Sequence, residues 1–511
     1  MRTDMAEREI QTDVLVVGAG PTGLMLANWL AKLGVPMVVA DGKSEPTRES
    51  RALGLQARSM EIYDQLGVID KVLAESTVAQ KLVFGYEARE LGRVPIGRLG
   101  RGVTPYPGIT FLEQSRNEQL LVDNLKALGS DVFWQHRLTA LDVDLPDPLP
   151  VTATLATDHG GVRVRARYCV GADGGSSTVR SARGIAFEGI TNAHTFYVSD
   201  ATEVRGLALD AVNVRPGTED FLLGFPMGGD SDVRLIGTVR NSDIGGDELS
   251  EDTVRRRLQR IYSVSYGPSR WYSTYKVHHR TAAVFRDGPV FLAGDAAHVH
   301  SPVGAQGMNT GLQDAHNLAF KLADVLQGRA SERYLDRYEA ERRPVARRLI
   351  STTDRLFGII TSARPVPRTL RRLILPVLAP VATNVLPRLR GAPRLFEYVS
   401  QVRIHYWMSD EAKQAARGRR GKVVGRRLPY TGSNFETLLS LTWQVHAYGG
   451  IDDVAVHHVR SALGLDVQVL PLNGNTKLQP GYFYLIRPDG FVAAESLPVG
   501  AVSTFTAAMA R

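Results

Sequence analysis

The chain has 511 residues, 43% apolar and 22% charged, the balance of an ordinary globular protein with length for roughly two to four domains. Its single cysteine, Cys169, excludes intramolecular disulfides, thiolate metal clusters and a CxxC redox pair, and fits a reducing cytoplasm. The net charge of +8, from 61 basic and 53 acidic residues, forms no aromatic-interleaved basic stripe, so an anionic dinucleotide or plain solvation explains it better than nucleic acid.

Residues 1–13 are charged and carry no apolar stretch of the secretory kind, so no signal is expected. The valine-rich run TDVLVVG at 12–18 predicts a buried parallel strand. Helical apolar spacing follows over 21–33, ended by Gly34, and 35–40 predicts a second buried strand that closes a βαβ unit. Residues 58–66 and 117–128 have amphipathic helical spacing, and 168–170 reads as another strand.

From 184 to 285 the pattern changes to alternating segments, 221–225 and 233–239 among them, with Gly and Pro turns between. That predicts a separate, mainly antiparallel sheet. A buried strand returns at 290–293, followed by a long helix at 307–326 stopped by Gly328. Residues 346–417 read as a helical connector. Within it, 373–387 is apolar but shorter than the roughly 20 residues of a membrane span and broken by Pro376, Pro380 and Pro387, so a buried or interfacial helix is expected. A basic linker, GRRGK at 418–422, precedes a compact stretch. There 452–463 predicts a helix, 467–470 and 482–486 predict strands, and Pro488-Asp489-Gly490 turns the chain into 491–494.

Three glycine turns carry the chemistry. The first, Gly18-Ala19-Gly20-Pro21-Thr22-Gly23, follows a strand and opens a helix. Gly18 permits the tight turn, Gly20 lets backbone approach a pyrophosphate, and Gly23 lets the helix pack on the sheet. The helix N-terminus offers amides and positive dipole to phosphates. Asp41 ends the second strand, where its carboxylate can accept hydrogen bonds from an adenosine ribose. This much specifies a dinucleotide, FAD or NAD alike.

The second turn, Gly294-Asp295, places a carboxylate at a strand's end, suited to polyol hydroxyls. Pro302-Val303-Gly304 is rigid, and Gly307-Met308-Asn309 opens a helix whose N-terminus favours a developing anion. A reduced flavin carries its charge at N1 and the C2 carbonyl, so the arrangement suits a flavin ring. The third turn is Gly171-Ala172-Asp173-Gly174; Asp173 can cap the next helix or orient a neighbour, and a purely structural turn stays open.

In this order and spacing, the three turns resemble those of the p-hydroxybenzoate-hydroxylase-type flavoprotein monooxygenases, especially the phenol and polyketide aromatic hydroxylases, over residues 12–345. The resemblance implies an α/β fold with a Rossmann-like FAD-binding domain (1–183 and 286–345) interleaved with a mainly antiparallel substrate-binding sheet domain (184–285). Residues 76–112 would contribute to the substrate site, and 418–511, from the likeness of Tyr484-Leu485-Ile486-Arg487-Pro488-Asp489-Gly490, would form a thioredoxin-like domain lacking CxxC, with a structural or dimer-supporting role.

The same resemblance implies that Gly18, Gly20, Pro21, Thr22, Gly23 and Asp41 bind the ADP half of FAD, with Arg51 near the pyrophosphate. Gln114 and Asp295 would meet the ribityl chain, and Asp173 would form the second fingerprint. Pro302, Gly304, Gly307, Met308 and Asn309 would make the flavin-ring loop, with Arg51 and Pro302 guiding a swinging flavin. The family has glutamate and arginine where this chain has Asp41 and Gly42, which leaves its adenine contact open, and a proline where it has Ser301.

The implied reaction is hydroxylation of a phenolic ring, in a polycyclic polyketide or a simple phenol. NADPH or NADH is the transient reductant, consistent with the lack of a second GxGxxG, and O2 reacts to give a flavin C4a-hydroperoxide. Phe221, Leu223, Phe225 and Met227 are candidates to line the substrate pocket or to form ordinary sheet core. Expected partners are an aromatic small molecule and O2, without nucleic acid or membrane, and a homodimer is left open. His298 and His300 tempt a general-base role that the reaction does not require. His278-His279 and His457-His458 lack the companion ligands of a metal site. Baeyer–Villiger or epoxidising chemistry on the same fold stays open, as does a non-catalytic FAD-binding protein. The WxWxIP and FxGxxxHxxxW signatures are absent.

Overall fold

The computed structural model describes residues 8–47, 52–218, 220–227, 232–244, 249–300, 306–361, 396–398, 400–406, 423–474 and 477–509. The apolar segment 373–387 and the linker 418–422 lie outside these residues, as do Arg51, Pro302 and Gly304.

The first valine run falls in β1 (Arg8–Val17), at the middle of an eight-stranded sheet. Parallel to β1 lie β2 (Met37–Asp41) on one side and β11 (Gly160–Gly171) on the other. The parallel set extends to β8 (Val132–Trp134) beyond β2 and to β18 (Val290–Leu292) beyond β11. Antiparallel additions are β17 (Arg286–Asp287) on β18, and the hairpin of β9 (Arg137–Val143) and β10 (Val151–Thr157) on β11. Val14, Leu15, Val16, Cys169 and Val170 are wholly buried, which explains why these strands read as unbroken apolar runs. Burial also pushes the Cys169 thiol up, away from thiolate chemistry.

Helix α1 (Pro21–Lys32) packs against α4 (Gln114–Ala127) and α7 (Gly307–Leu326). Register sets Val17 beside both Ala40 and Gly171, and Gly171 beside Leu292. The carboxyl ends of β1, β2, β11 and β18 therefore stop at one level, and their loops become neighbours. Open parallel sheets bind ligands at that edge.

A second eight-stranded sheet runs in the order β19–β16–β12–β15–β14–β13–β5–β6. Its centre is β12 (Phe187–Ala201), β15 (Val233–Arg240), β14 (Phe221–Pro226), β13 (Val212–Pro216) and β16 (Ser269–Ala282). The ends come from distant segments: β5 (Lys81–Tyr86) and β6 (Arg89–Pro95) on one side, β19 (His298–Val299) on the other. One face packs against α6 (Glu251–Tyr262) through Leu235, Val254 and Leu258. The alternate residues Phe196, Val198, Ile236 and Val277 form the core of the opposite face. A small sheet, β3 (Gly54–Leu55)–β7 (Ile109–Phe111)–β4 (Thr77–Ala79), completes this region with α2 (Ala57–Leu66) and α3 (Ile69–Glu75).

The last sheet is ordered β21–β20–β22–β23. β20 (Gln444–Tyr448) and β21 (Asp466–Leu470) are parallel and joined by α9 (Asp453–Leu463). β22 (Tyr482–Ile486) and β23 (Val492–Ser496) are antiparallel and lead to α10 (Ala501–Met509).

Helix α2 departs from its expected amphipathic form, because every residue except Asp64 is buried. The C-terminal segment covers its polar side. Arg58 donates to Asp489 O at 2.7 Å, Gln65 donates to Pro488 O at 2.6 Å, and Arg427 pairs with Glu61 at 3.0 Å. Beside it, on α8 (Asp336–Thr361), Glu341 pairs with Arg487 at 2.6 Å and with Lys321 of α7 at 2.9 Å. Removing one partner from such a buried network strands a charge. Arg487→Leu should therefore cost about 3–5 kcal/mol in a denaturant titration, and a loss below about 1 kcal/mol would contradict the docking argument.

A pH dependence follows from His446, wholly buried on β20 and pushed down to about 3 by burial. Above the unfolded value near 6.5 both states are neutral. As pH falls from 6.5 towards 3, only the unfolded chain takes the proton, so stability is lost across that window. A His446→Gln variant should lose less stability than wild type over the same window; parallel stability–pH curves would refute this.

Candidate active site

The first turn folds as its glycines dictate. Gly18 has φ +104°, where a side chain is strained, and a Cβ there would lie 2.4 Å from Ala172 O. A Cβ on Gly23 would lie 1.8 Å from Gly18 O. Gly20 is different: a Cβ on it would meet nothing within 4 Å, because it faces an open cavity. Pro21 stands at the first helical position, where a missing N–H costs nothing.

That cavity, of about 830 Å³, joins the sheet edge to the second sheet. From the first turn and the end of β2 it is lined by Gly18, Gly20, Pro21, Thr22, Asp41 and Lys43. Gln114, Asp173, Asp295, Gly307 and Met308 line it too, and the second sheet contributes Leu223, Phe225, Ile236, Tyr275 and Val277. Segments almost 300 residues apart in sequence thus share one space.

Some expected residues lie elsewhere. Gly23 packs α1 on the sheet and is not among the lining residues. Asn309 is wholly buried behind the wall: its side chain accepts from Gln56 N at 2.8 Å and Ser59 Oγ at 2.7 Å, and donates to Gly54 O at 2.8 Å. It ties α7 to the strand before α2 instead of turning to the cavity. Phe221 is buried in the sheet behind Leu223 and Phe225, and Met227 does not line the space. His298 is also buried, with Nε2 2.7 Å from Asp314 Oδ2, so it cannot reach a ligand; His278 and His300 do line the cavity. Among the described residues no His, Cys, Asp and Glu cluster could hold a metal ion.

The polar groups are pre-set by local bonds. Asp41 accepts from Ala19 N at 2.6 Å and from Lys43 N at 2.8 Å, which fixes its carboxylate at the turn. Sequence reading missed Lys43 and Glu118. Glu118 accepts from Thr47 N at 2.8 Å and Gln114 Nε2 at 2.9 Å, and its carboxylate lies 3.6 Å from Lys43 Nζ. Burial pushes the Glu118 carboxyl up, against the pull of Lys43. The i, i+4 spacing of Gln114 and Glu118 was the available signal.

Asp173 accepts from Thr178 N at 2.7 Å and Val179 N at 3.1 Å, capping α5 (Thr178–Ala182) with Oδ2. Its Oδ1 is buried with no hydrogen bond among the described residues, and burial pushes the carboxyl up. A lone buried acceptor on a cavity wall calls for a ligand donor or water. Asp295 stands exposed on the same wall.

The family model for the FAD binding domain matches residues 11–353. The chain is 32% identical to the 6-methylpretetramide 4-monooxygenase of Streptomyces rimosus, over 97% of this chain and 92% of that protein. It is 32% identical to the rifampicin monooxygenase of Streptomyces venezuelae, over 94% of each. Among solved structures, the anhydrotetracycline hydroxylase of Streptomyces rimosus superposes with a TM-score of 0.75 at 29% identity, over 98% of each chain.

The glycines separate binding from folding. Gly20→Val should leave the thermal midpoint within about 2 °C of wild type, as for a surface change, while FAD uptake is lost. Gly23→Ala should lower the midpoint and FAD uptake together, because its Cβ has no space in the protein itself. Thermal scans and flavin content of the two purified variants check this, and full FAD uptake by Gly20→Val would contradict it.

Proposed function

The chain belongs to the FAD-binding-domain family, in its phenol and polyketide aromatic hydroxylase branch, and from that premise we propose that it hydroxylates a planar, polycyclic aromatic of polyketide type. It is an FAD-dependent monooxygenase, and NAD(P)H and O2 are the co-substrates typical of its family.

The residues present fit FAD. Gly20 leaves room for a pyrophosphate, Asp41 and Asp295 are carboxylates on the cavity wall, and Asp173 Oδ1 on the same wall has no hydrogen bond among the described residues. We place the ADP half against Gly18, Gly20, Pro21, Thr22 and Asp41, with Arg51 beside it, and the ribityl chain against Gln114 and Asp295. The ring would then lie at the N-terminus of α7, by Gly307 and Met308. Bound there, FAD supplies the redox and oxygen chemistry that no side chain can.

This chain's residues do the rest. Gln306, Gly307 and Met308 at the start of α7 line the cavity, and a helix N-terminus favours negative charge there. Gln114, held by Glu118, turns its carbonyl to Ala52 N at 3.3 Å and fixes the edge of the pocket. Leu223, Phe225, Ile236 and Val277 are apolar lining residues that would exclude water from the space beside a bound ring.

The observation that carries the substrate class is the width of that apolar wall. From β14 through β15 and β12 to β16 there are three strand-to-strand steps, or about 14 Å. Leu223 and Phe225 on β14, Ile236 on β15 and Tyr275 and Val277 on β16 line the cavity, with Phe196 and Val198 of β12 wholly buried between them. One phenol ring would leave most of this surface wet. The relatives named for 6-methylpretetramide and anhydrotetracycline support the same class.

In the C-terminal unit, the strand order β21–β20–β22–β23 with a parallel pair, an antiparallel hairpin and two helices supports a thioredoxin-like reading. With Cys169 the sole cysteine, its role is docking, not dithiol exchange.

The test is NADPH oxidation by the FAD-loaded protein against a panel of simple phenols and polycyclic phenolic quinones. Polycyclic compounds should stimulate turnover and yield a product one oxygen heavier. Equal stimulation by single-ring phenols would contradict the substrate class, and a protein that takes up no flavin would overturn the reading. Ile236→Trp, which narrows the wall, should raise KM for the polycyclic substrate by about tenfold or more with FAD affinity unchanged.

A further inference from the structure

We propose that Asp314 and Arg342 are positioning residues for the flavin end of the cavity, acting through the turn that carries Asp295. The proposal rests on the reading that FAD lies between the first glycine turn and α7.

Asp314 is wholly buried on α7. Its Oδ2 accepts from Gly294 N at 3.1 Å and faces His298 Nε2 at 2.7 Å, while Oδ1 accepts from Arg342 Nε at 2.6 Å. Both ends of the short excursion 294–298 are thus tied to one carboxylate. Gly294 has φ +60°, and a Cβ on it would lie 2.4 Å from Thr22 Oγ1. Between the two tethers Asp295 is exposed and lines the cavity.

Arg342 is wholly buried too, and its other nitrogens are committed. Nη2 donates to Thr310 O at 3.1 Å, in the first turn of α7, and Nη1 donates to Tyr406 Oη at 3.0 Å. Tyr406 stacks on Phe491 of the C-terminal unit, ring centres 4.0 Å apart and 18° from parallel. One guanidinium therefore braces the start of α7 and the Asp295 turn against the C-terminal unit. Burial alone would raise the Asp314 carboxyl, but Arg342 and His298 hold it below the usual carboxylate range. An ionised carboxylate gives backbone N–H groups a stronger and more directional acceptor than a neutral one.

A purely structural ion pair would stabilise the whole protein without favouring either end of the cofactor. The variant to make is Asp314→Ala with Arg342→Met, which removes both charges and leaves neither stranded, so the chain is expected to fold. In the full-length apoprotein, FAD and ADP affinities are measured separately, with thermal midpoint as a control. ADP reads only the Gly18–Asp41 end. ADP should bind within about twofold of wild type, while FAD weakens by about tenfold or more, as when a buried donor loses its acceptor. The absorption bands of bound flavin should also move towards those of free flavin. Unchanged FAD affinity in the folded double variant would overturn the proposal, as would equal losses of FAD and ADP. Should the double variant fold poorly, Arg342→Lys keeps the charge but loses the fork; it should show the same selective loss of FAD, and equal FAD and ADP affinities to wild type would overturn the proposal. Wild-type protein that bound ADP but not FAD would overturn the FAD reading itself, and this inference with it.

Discussion

Everything at the site depends on how closely α1 and α7 cross. Thr22 sits between them, and a Cβ on Gly294 or Gly311 would come within 2.4 Å or 2.2 Å of its Oγ1. At Gly294, whose φ of +60° would also strain a side chain, glycine lets the residues near 20 and the residues near 300 share a wall. Move these helices apart and the pyrophosphate turn and the Asp295 turn no longer face one cavity. The sheet enforces the same proximity from below, because the register of β1, β2, β11 and β18 ends all four strands together. Fold and site are one geometric fact, stated once by glycines and once by strand register.

A second theme is how buried charge fixes the surroundings. Glu61 meets Arg427, Glu341 meets Arg487, and Asp314 meets Arg342, each pair within 3.0 Å. Such pairs contribute little net stability over apolar replacements, but they tolerate very few arrangements. Two of the three arginines come from the C-terminal unit, whose contact with α2 and α8 is thereby directional. The unit lies outside the cavity wall, yet it borders the helices that make the wall.

Much of this was legible in the sequence. The strands at 12–18, 35–40 and 290–293 announced themselves as continuous apolar runs because both sheet faces are covered. The helix at 307–326 and the alternation at 233–239 were equally plain. What could not be read depended on partners far along the chain. Nothing local in α2 says that residues 366 to 431 positions later cover its polar side. The recruitment of β5 and β6 into the second sheet follows from pairing with β13, which no periodicity reveals. Glu118 and Lys43 meet only in three dimensions, and the amide of Asn309 is committed to Gly54, Gln56 and Ser59, contacts that no local spacing reveals. His298 has no base role in the sequence reading, and its pairing with Asp314 in the interior agrees with that.

The central claim is that a single FAD spans the cavity, adenosine at Asp41 and ring between α7 and the apolar face of the second sheet. A crystal structure of the FAD-loaded protein tests this most directly. The account predicts ribose hydroxyls on the Asp41 carboxylate, ribityl hydroxyls near Gln114 and Asp295, and the ring edge at the Gly307–Met308 amides. A flavin bound elsewhere, or one whose ring points away from Leu223 and Ile236, would contradict it.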